Sequence, residues 1–151
     1  MRIIIQRVSQ ASVEISGNRV AEIGLGLLVL LGIEHEDTQA DADYLVQKLL
    51  QLRIFSDADG KMNLALNDVQ GDLIIVSQFT LHASTKKGNR PSYIRAARPE
   101  QAIPLYTYFI EQAQKELKTK IQTGEFGADM KVSLVNDGPV TIIIDSANKD
   151  F

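Results

Sequence analysis

The sequence contains no cysteine. That excludes a disulfide framework, a thiol nucleophile and any thiolate metal site. Histidine is nearly as scarce: His35 and His82 are the only two, too few for a histidine-rich zinc centre. Long apolar runs are missing too. The longest, LGLLVLLGI, falls far short of the roughly 20 residues that a membrane-spanning helix needs, and no basic-then-apolar leader opens the chain. An excess of positive charge is also absent. The net charge is -3 and the pI about 5.4, so any contact with RNA must come from a local basic patch. No linker, repeat or low-complexity segment interrupts the 151 residues, of which 44% are hydrophobic and 23% charged. These totals predict one soluble cytoplasmic domain, residues 1–151, with no metal, no cofactor, and no membrane or DNA partner.

What is there reads as an alternation of strands and helices. RIIIQRV is a strand. ASVEI and RVAEI flank Gly17-Asn18 and predict a hairpin. LGLLVLLGI lacks alternation, which predicts a central strand buried on both faces. Thr38 with Asp41 resembles a helix cap, and Ala42, Leu45, Leu49 and Leu52 recur at helical spacing, predicting a helix over about 39–53. SDADGKMN is a turn-rich link and DLIIVSQFTL a second buried strand. Pro99 suits a helix start; Tyr106, Phe109, Ile110, Ala113, Leu117 and Ile121 carry the next helix, and Gly124 is its expected stop. Pro104 predicts an irregular first turn. KVSLVN and PVTIIID close the chain as two strands. The order β-β-β-α-β-α-β-β predicts an α/β fold with a mixed sheet and helices on one side.

Five stretches invite a chemical reading. GLGLLV lacks the third glycine of a dinucleotide fingerprint and precedes its strand, so it reads as a lead into that strand. In DADGKMN the glycine comes too early for a calcium loop and Lys61 stands where a ligand oxygen is needed. SQFTLH, Ser77 to His82, ends a buried strand, where open α/β sheets keep their sites. Strand alternation would put Gln78, Thr80 and His82 on one face, so Thr80 and His82 are a candidate nucleophile and base, against the plainer reading of hydroxyls satisfying backbone groups. HASTKKGNRPSYIRAAR holds Lys86, Lys87, Arg90, Arg95 and Arg98 and no acidic residue: a phosphate-binding loop or a solvated one, with Tyr93 stacking on a base or packing on the domain. In NDGPVT, Asp137-Gly138 between apolar runs predicts a hairpin turn, with Pro139 opening an edge strand.

SQFTL at 77–81 and NDGPVT at 136–141 resemble the two signature motifs, SQFTL and NxGPVT, of the D-aminoacyl-tRNA deacylases. The likeness runs from MRIIIQRVSQASV through GNRPSY to FGADMKVSLVNDGPVT. The resemblance implies a strongly curved, half-barrel-like sheet in three α/β/β layers. It implies a homodimer, with a site at each subunit interface, that hydrolyses the ester between a D-amino acid and the terminal adenosine of tRNA. Ser77, Gln78, Phe79 and Thr80 would form the catalytic turn, with main-chain N–H groups of Phe79 and Thr80 as donors to the oxyanion. The Gly138–Pro139 bond would be cis, and this hook, supported by Arg7 and Asn136, would enter the partner's site. Its two carbonyls would leave no room for an L side chain, which selects by exclusion; glycine, lacking Cβ, would pass. Ala102, Phe126 and Met130 would line the adenosine pocket. A non-catalytic RNA-binding dimer and a small-molecule esterase using Thr80 and His82 are the competing classes.

Overall fold

The computed structural model describes residues 1–150. Its spine is β1 (Arg2–Ile15), one unbroken strand that joins RIIIQRV to ASVEI. Ser16 and Gly17, both at positive φ, turn the chain into β2 (Asn18–Ile23), and β3 (Gly26–Gly32) continues along the same edge of β1. Ala11 faces Ile23 and Val8 faces Gly26, so both strands follow β1 antiparallel. Helix α1 (Gln39–Gln51) comes next. The Asp41 carboxylate accepts from the Thr38 backbone N–H and hydroxyl, both at 2.9 Å, so the cap forms as expected.

The link SDADGKMN folds into a small hairpin of β4 (Phe55–Ser56) and β5 (Met62–Leu64). Its Asp57 carboxylate is committed to the backbone N–H groups of Asp59 and Lys61. Strand β6 (Asp72–Ser77) then lies parallel to β3. The two approach so closely at Gly26 that a Cβ there would stand 2.0 Å from the Asp72 carbonyl oxygen, which only glycine avoids. Helix α2 (Pro99–Glu116) crosses back and delivers β7 (Ile121–Thr123), parallel to β6. The last strand, β8 (Met130–Asp145), pairs with the remaining edge of β1.

Helix α2 runs unbroken through Pro104, against the expected irregular first turn. The bond that Pro104 cannot make would have gone to Glu100 on the exposed side. The helix also ends earlier than its apolar spacing predicts. The Asn67 side chain clamps the Glu116 carbonyl and the Lys118 N–H, and Gln114 bonds Thr119 and Ile121. Ile121 therefore belongs to β7, buried opposite Leu73, and Gly124 follows a strand rather than a helix.

Two cores lie on the two faces of the sheet. Ile3, Ile5, Leu27, Val29, Leu73 and Ile75 face the helices and meet Leu45, Leu49 and Phe109. Val8, Val13, Ile23, Leu28, Ile74 and Val76 face the inside of the curve. Neighbours such as Leu27 and Leu28 thus enter different cores, which explains the missing alternation in β3 and β6. The curl is nearly closed by a side chain: the Gln122 amide donates to the Glu22 carbonyl at 2.6 Å and accepts from its N–H at 2.8 Å, as a strand would. The architecture is a mixed, strongly curved sheet with two helices on one side, in α/β/β layers. Among the described residues no helix is long and apolar enough to cross a membrane.

The ends of β1 and β8 are locked by Arg2, which donates from Nε and Nη2 to Asp145 at 2.9 and 2.7 Å and from Nη1 to the Leu81 carbonyl at 2.7 Å. Burial alone would raise the Asp145 pKa, but the bonds from Arg2 and from the Ala147 and Asn148 N–H groups outweigh it and hold the carboxyl below its ordinary value. A carboxyl lowered on folding stabilises the native state above its unfolded pKa, and that contribution disappears as pH falls through the folded value. Asp145→Asn should therefore lose about 2 kcal/mol at pH 7, as for a hydrogen bond to a charged group. Urea midpoints of parent and variant should converge in acid; a gap that stays constant down to pH 2 would contradict this assignment.

Candidate functional site

The strand carrying SQFT stops at Ser77. The Gln78 N–H pairs with the Leu31 carbonyl at 2.8 Å, and the chain then winds into a 3-10 turn over Phe79–His82. Strand alternation does not continue, so Gln78, Thr80 and His82 do not share a face. His82 is buried beneath the turn. Its Nδ1 lies 2.6 Å from Glu34 Oε1, out of line for a good hydrogen bond, and its Nε2 has no partner among the described residues. A Cβ on Gly32 would touch that ring at 2.9 Å, so the imidazole packs against the end of β3. The Thr80 hydroxyl is taken up differently, accepting from Gln78 Nε2 at 2.5 Å. The turn therefore separates Thr80 from His82 as a nucleophile and base. It also leaves the N–H groups of Phe79 and Thr80 without a hydrogen-bond partner among the described residues, as the first donors of any helical turn are.

Beside this turn opens a cavity of about 250 Å³. Ser77, Gln78 and Phe79 form one side; Ala102, Phe126 and Met130 form another. Thr80 is not among its lining residues. Ala102 lies in regular helix, its N–H bonded to the Arg98 carbonyl at 2.8 Å. Phe126 is held edge-on against Tyr106, with ring centroids 5.9 Å apart at 61°. Tyr106, whose spacing marks it only as helix stripe, is the support beneath this wall. Its hydroxyl donates to the Ile75 carbonyl at 2.9 Å, and burial pushes its pKa up to about 12. Leu31, Ile33, Val76, Ala97, Gly127, Ala128 and Val132 complete the cavity, and nothing in the sequence distinguishes these apolar and small residues from core or loop.

NDGPVT is not a hairpin. Both halves of β8 pair with the same strand: Thr141 faces Gln6 and Asn136 faces Val8. Opposite the single residue Arg7, the chain spends Asp137, Gly138, Pro139 and Val140 on an excursion out of the ladder. A turn would have reversed the direction, whereas the continuing apolar run stays in register with β1 on both sides. Gly138–Pro139 is cis, and both residues are exposed. Buried Arg7 bridges the base, donating from Nε to the Asp137 carbonyl at 2.9 Å and from Nη1 to the Ile54 carbonyl at 2.5 Å. Asn136 spans the excursion: Oδ1 accepts from the Val140 N–H at 2.7 Å and Nδ2 donates to Thr141 Oγ1 at 3.0 Å. Gly138 sits at φ +139, and a Cβ would meet Val140 Cγ2 at 2.7 Å and Arg7 Nη2 at 3.1 Å. None of these residues lines the cavity of its own chain.

The basic loop divides. Lys86, Lys87 and Arg90 are exposed, whereas Arg95 Nη2 is bound to both Glu34 carboxylate oxygens at 3.0 and 2.7 Å. Arg98 offers its backbone carbonyl to the first turn of α2. No sequence signal marks Glu34, which lies between Arg95 and His82 and ties this loop to the 3-10 turn.

A curved α/β domain with an apolar-walled cavity beside free main-chain donors defines a ligand-binding, hydrolase-like class. Comparison with known proteins resolves it. The model of the D-Tyr-tRNA(Tyr) deacylase family matches residues 4–145. A D-aminoacyl-tRNA deacylase of Flavobacterium johnsoniae is 62% identical over 99% of this chain and 100% of its own length; that of Akkermansia muciniphila is 58% identical over the same shares. Among solved structures, the c-Myc DNA unwinding element binding protein is 44% identical, with a TM-score of 0.91 over 96% of this chain and 98% of its own. A probable eukaryotic D-amino acid tRNA deacylase shares the fold at 17% identity, with a TM-score of 0.78 over 95% and 97%. The chain belongs to the D-Tyr-tRNA(Tyr) deacylase family, a family of hydrolases.

Tyr106→Phe keeps the ring under Phe126 and deletes only the hydroxyl. It should cost about 1 kcal/mol of stability, the usual net contribution of one neutral hydrogen bond. Chemical denaturation checks this; an unchanged midpoint would show that the bond to Ile75 contributes nothing.

Proposed function

We propose that this protein hydrolyses the ester of D-aminoacyl-tRNA, releasing the D-amino acid and free tRNA, with residues 1–151 acting as one catalytic domain. The observation that carries this reading is the cavity itself, with Phe126, Ala102 and Met130 along one wall and Phe79, the first residue of the 3-10 turn, along another. The wall suits the terminal adenosine, with Phe126 against the base. The ester carbonyl then lies over the 3-10 turn. A water attacks the carbonyl carbon, the new oxyanion accepts from the Phe79 and Thr80 N–H groups, and the ribose oxygen leaves with a proton. The neighbouring ribose hydroxyl of the substrate assists that proton transfer. Ser77 and Gln78 shape the turn, with Gln78 holding the Thr80 hydroxyl. Lys86, Lys87, Arg90 and Arg98, with Arg95 less available, meet tRNA phosphates.

Selectivity comes from a second copy. The Gly138–Pro139 projection is exposed and stands apart from its own cavity, while Arg7 and Asn136 hold its base. In a homodimer it enters the partner's site, where main-chain carbonyls accept from the substrate ammonium and occupy the space of an L side chain. Main-chain oxygens cannot swing aside as a side chain can, so the filter is independent of which D-amino acid arrives. Glycyl-tRNA, with no Cβ to exclude, is also a substrate. Work on tRNA suits a cytoplasmic location.

The esterase alternative, with Thr80 as nucleophile, needs a base at Thr80, and the base the sequence offered, His82, is buried against Glu34 and Gly32.

Deacylation of matched D- and L-tyrosyl-tRNA tests the reading. Release from the D ester alone is expected; binding without release would leave an RNA-binding dimer, and equal release from free amino esters would leave the esterase. Thr80→Ala should reduce kcat by far less than the roughly 10⁴-fold typical of a deleted nucleophile; a loss of that size would restore Thr80 to the chemistry. Purified enzyme should also release glycine from glycyl-tRNA, and inertness toward it alongside activity on the D ester would remove the steric filter.

A further inference from the structure

At the rim of the cavity the fold leaves an apolar patch open. Phe79 is 55% exposed although it belongs to the turn beside the cavity. Tyr93 packs edge-on against it, with ring centroids 5.0 Å apart at 74°, and is itself 39% exposed. Next to Tyr93, Ile94 is 84% exposed. The surrounding segment, residues 83–98, contains five cationic side chains and no acidic one; Lys86, Lys87 and Arg90 point no ion pair at any group of the described chain. Its backbone is anchored, since Ser84 and Ser92 exchange hydrogen bonds at 2.8 and 2.9 Å and His35 Nε2 lies 3.0 Å from the Ile94 carbonyl.

Aromatic faces beside unpaired cations, anchored on a fixed loop, are how proteins hold single-stranded nucleic acid without reading its sequence. From this placement we infer that Phe79, Tyr93 and Ile94 form a stacking platform for one nucleobase: the base preceding the terminal adenosine of the acceptor strand. The inference rests on the reading of the cavity as the site of that adenosine. Phe79 makes the connection, because it borders the cavity on one side and Tyr93 on the other. The strand that enters the cavity must leave past this edge, and its next phosphate then faces the cations of the same loop. The platform binds rather than reacts, and it takes any base, because every base has a π face.

Two changes made separately and together test the inference: an abasic nucleotide at the penultimate position of D-tyrosyl-tRNA, and Tyr93→Ala in the protein. Stacking on an aromatic side chain contributes enough that either change alone should lower kcat/KM about 10- to 100-fold, mainly through KM. Combined, they should cost little more than either alone, and Tyr93→Phe should retain the parent value. An abasic tRNA cleaved by the unaltered enzyme at the full rate overturns the inference without relying on any variant. So do additive losses in the double change, and so does conversion of the dimer to monomer by Tyr93→Ala, which would assign the patch to the subunit contact. Failure of the unaltered enzyme on intact D-tyrosyl-tRNA would instead sink the proposed function.

Discussion

Everything distinctive in this molecule depends on how β8 keeps register with β1 while carrying extra chain. Between the pairs Gln6–Thr141 and Val8–Asn136, β1 has one residue and β8 has four. The surplus must leave the ladder, and a flexible surplus would fray the edge of the sheet. Arg7 prevents that from the inside. Its guanidinium bonds the Asp137 carbonyl and reaches through to the carbonyl of Ile54, in the link between α1 and β4. Asn136 does so from the strand itself, replacing the ladder bonds that the excursion gives up. A short exposed projection thus becomes as well determined as the strands around it.

The same economy of side-chain chemistry governs the cavity. Apart from Gln78 its walls are apolar or small, and the groups assigned to the reaction are main-chain N–H donors left over where β6 gives way to a 3-10 turn. That turn is fixed from three directions. Gln78 is bonded to β3, Arg2 holds the Leu81 carbonyl, and His82 is packed against Gly32 beneath it. Donors positioned in this way need no reorganisation as charge develops on the substrate, which is where electrostatic catalysis gains most. On the proposed reading, substrate recognition and catalysis both lean on backbone whose position is set by the fold.

Much of this was legible in the residues. The absence of alternation in LGLLVLLGI and DLIIV correctly marks strands buried on both faces, and Thr38 with Asp41 marks the start of α1. Local spacing misled where tertiary partners decide. Ile121 continues the helical stripe of α2, yet Asn67, some fifty residues upstream, ends that helix. Asp-Gly between apolar runs is the strongest short hairpin signal, but a turn is not required when both flanking runs can pair with one strand as long as β1. Strand alternation continued past Ser77 would make His82 a base for Thr80; the 3-10 turn buries it instead. Glu34 carried no signal and Tyr106 only that of a helix stripe, since their roles at the site exist only through contacts with Arg95, His82 and Phe126.

The central claim is that selectivity at one cavity is supplied by the other chain. A mixed dimer tests it most directly. One subunit carries Ala128→Trp, which fills its cavity but leaves its projection intact; the other lacks Gly138 and Pro139 but keeps an open cavity. Stereoselectivity toward D- and L-tyrosyl-tRNA is then measured for the mixed dimer and for each parent. The account predicts that the mixed dimer hydrolyses the D ester and spares the L ester, because the intact projection serves the open cavity. Loss of discrimination in the mixed dimer, matching the dimer in which both chains lack Gly138 and Pro139, would contradict it.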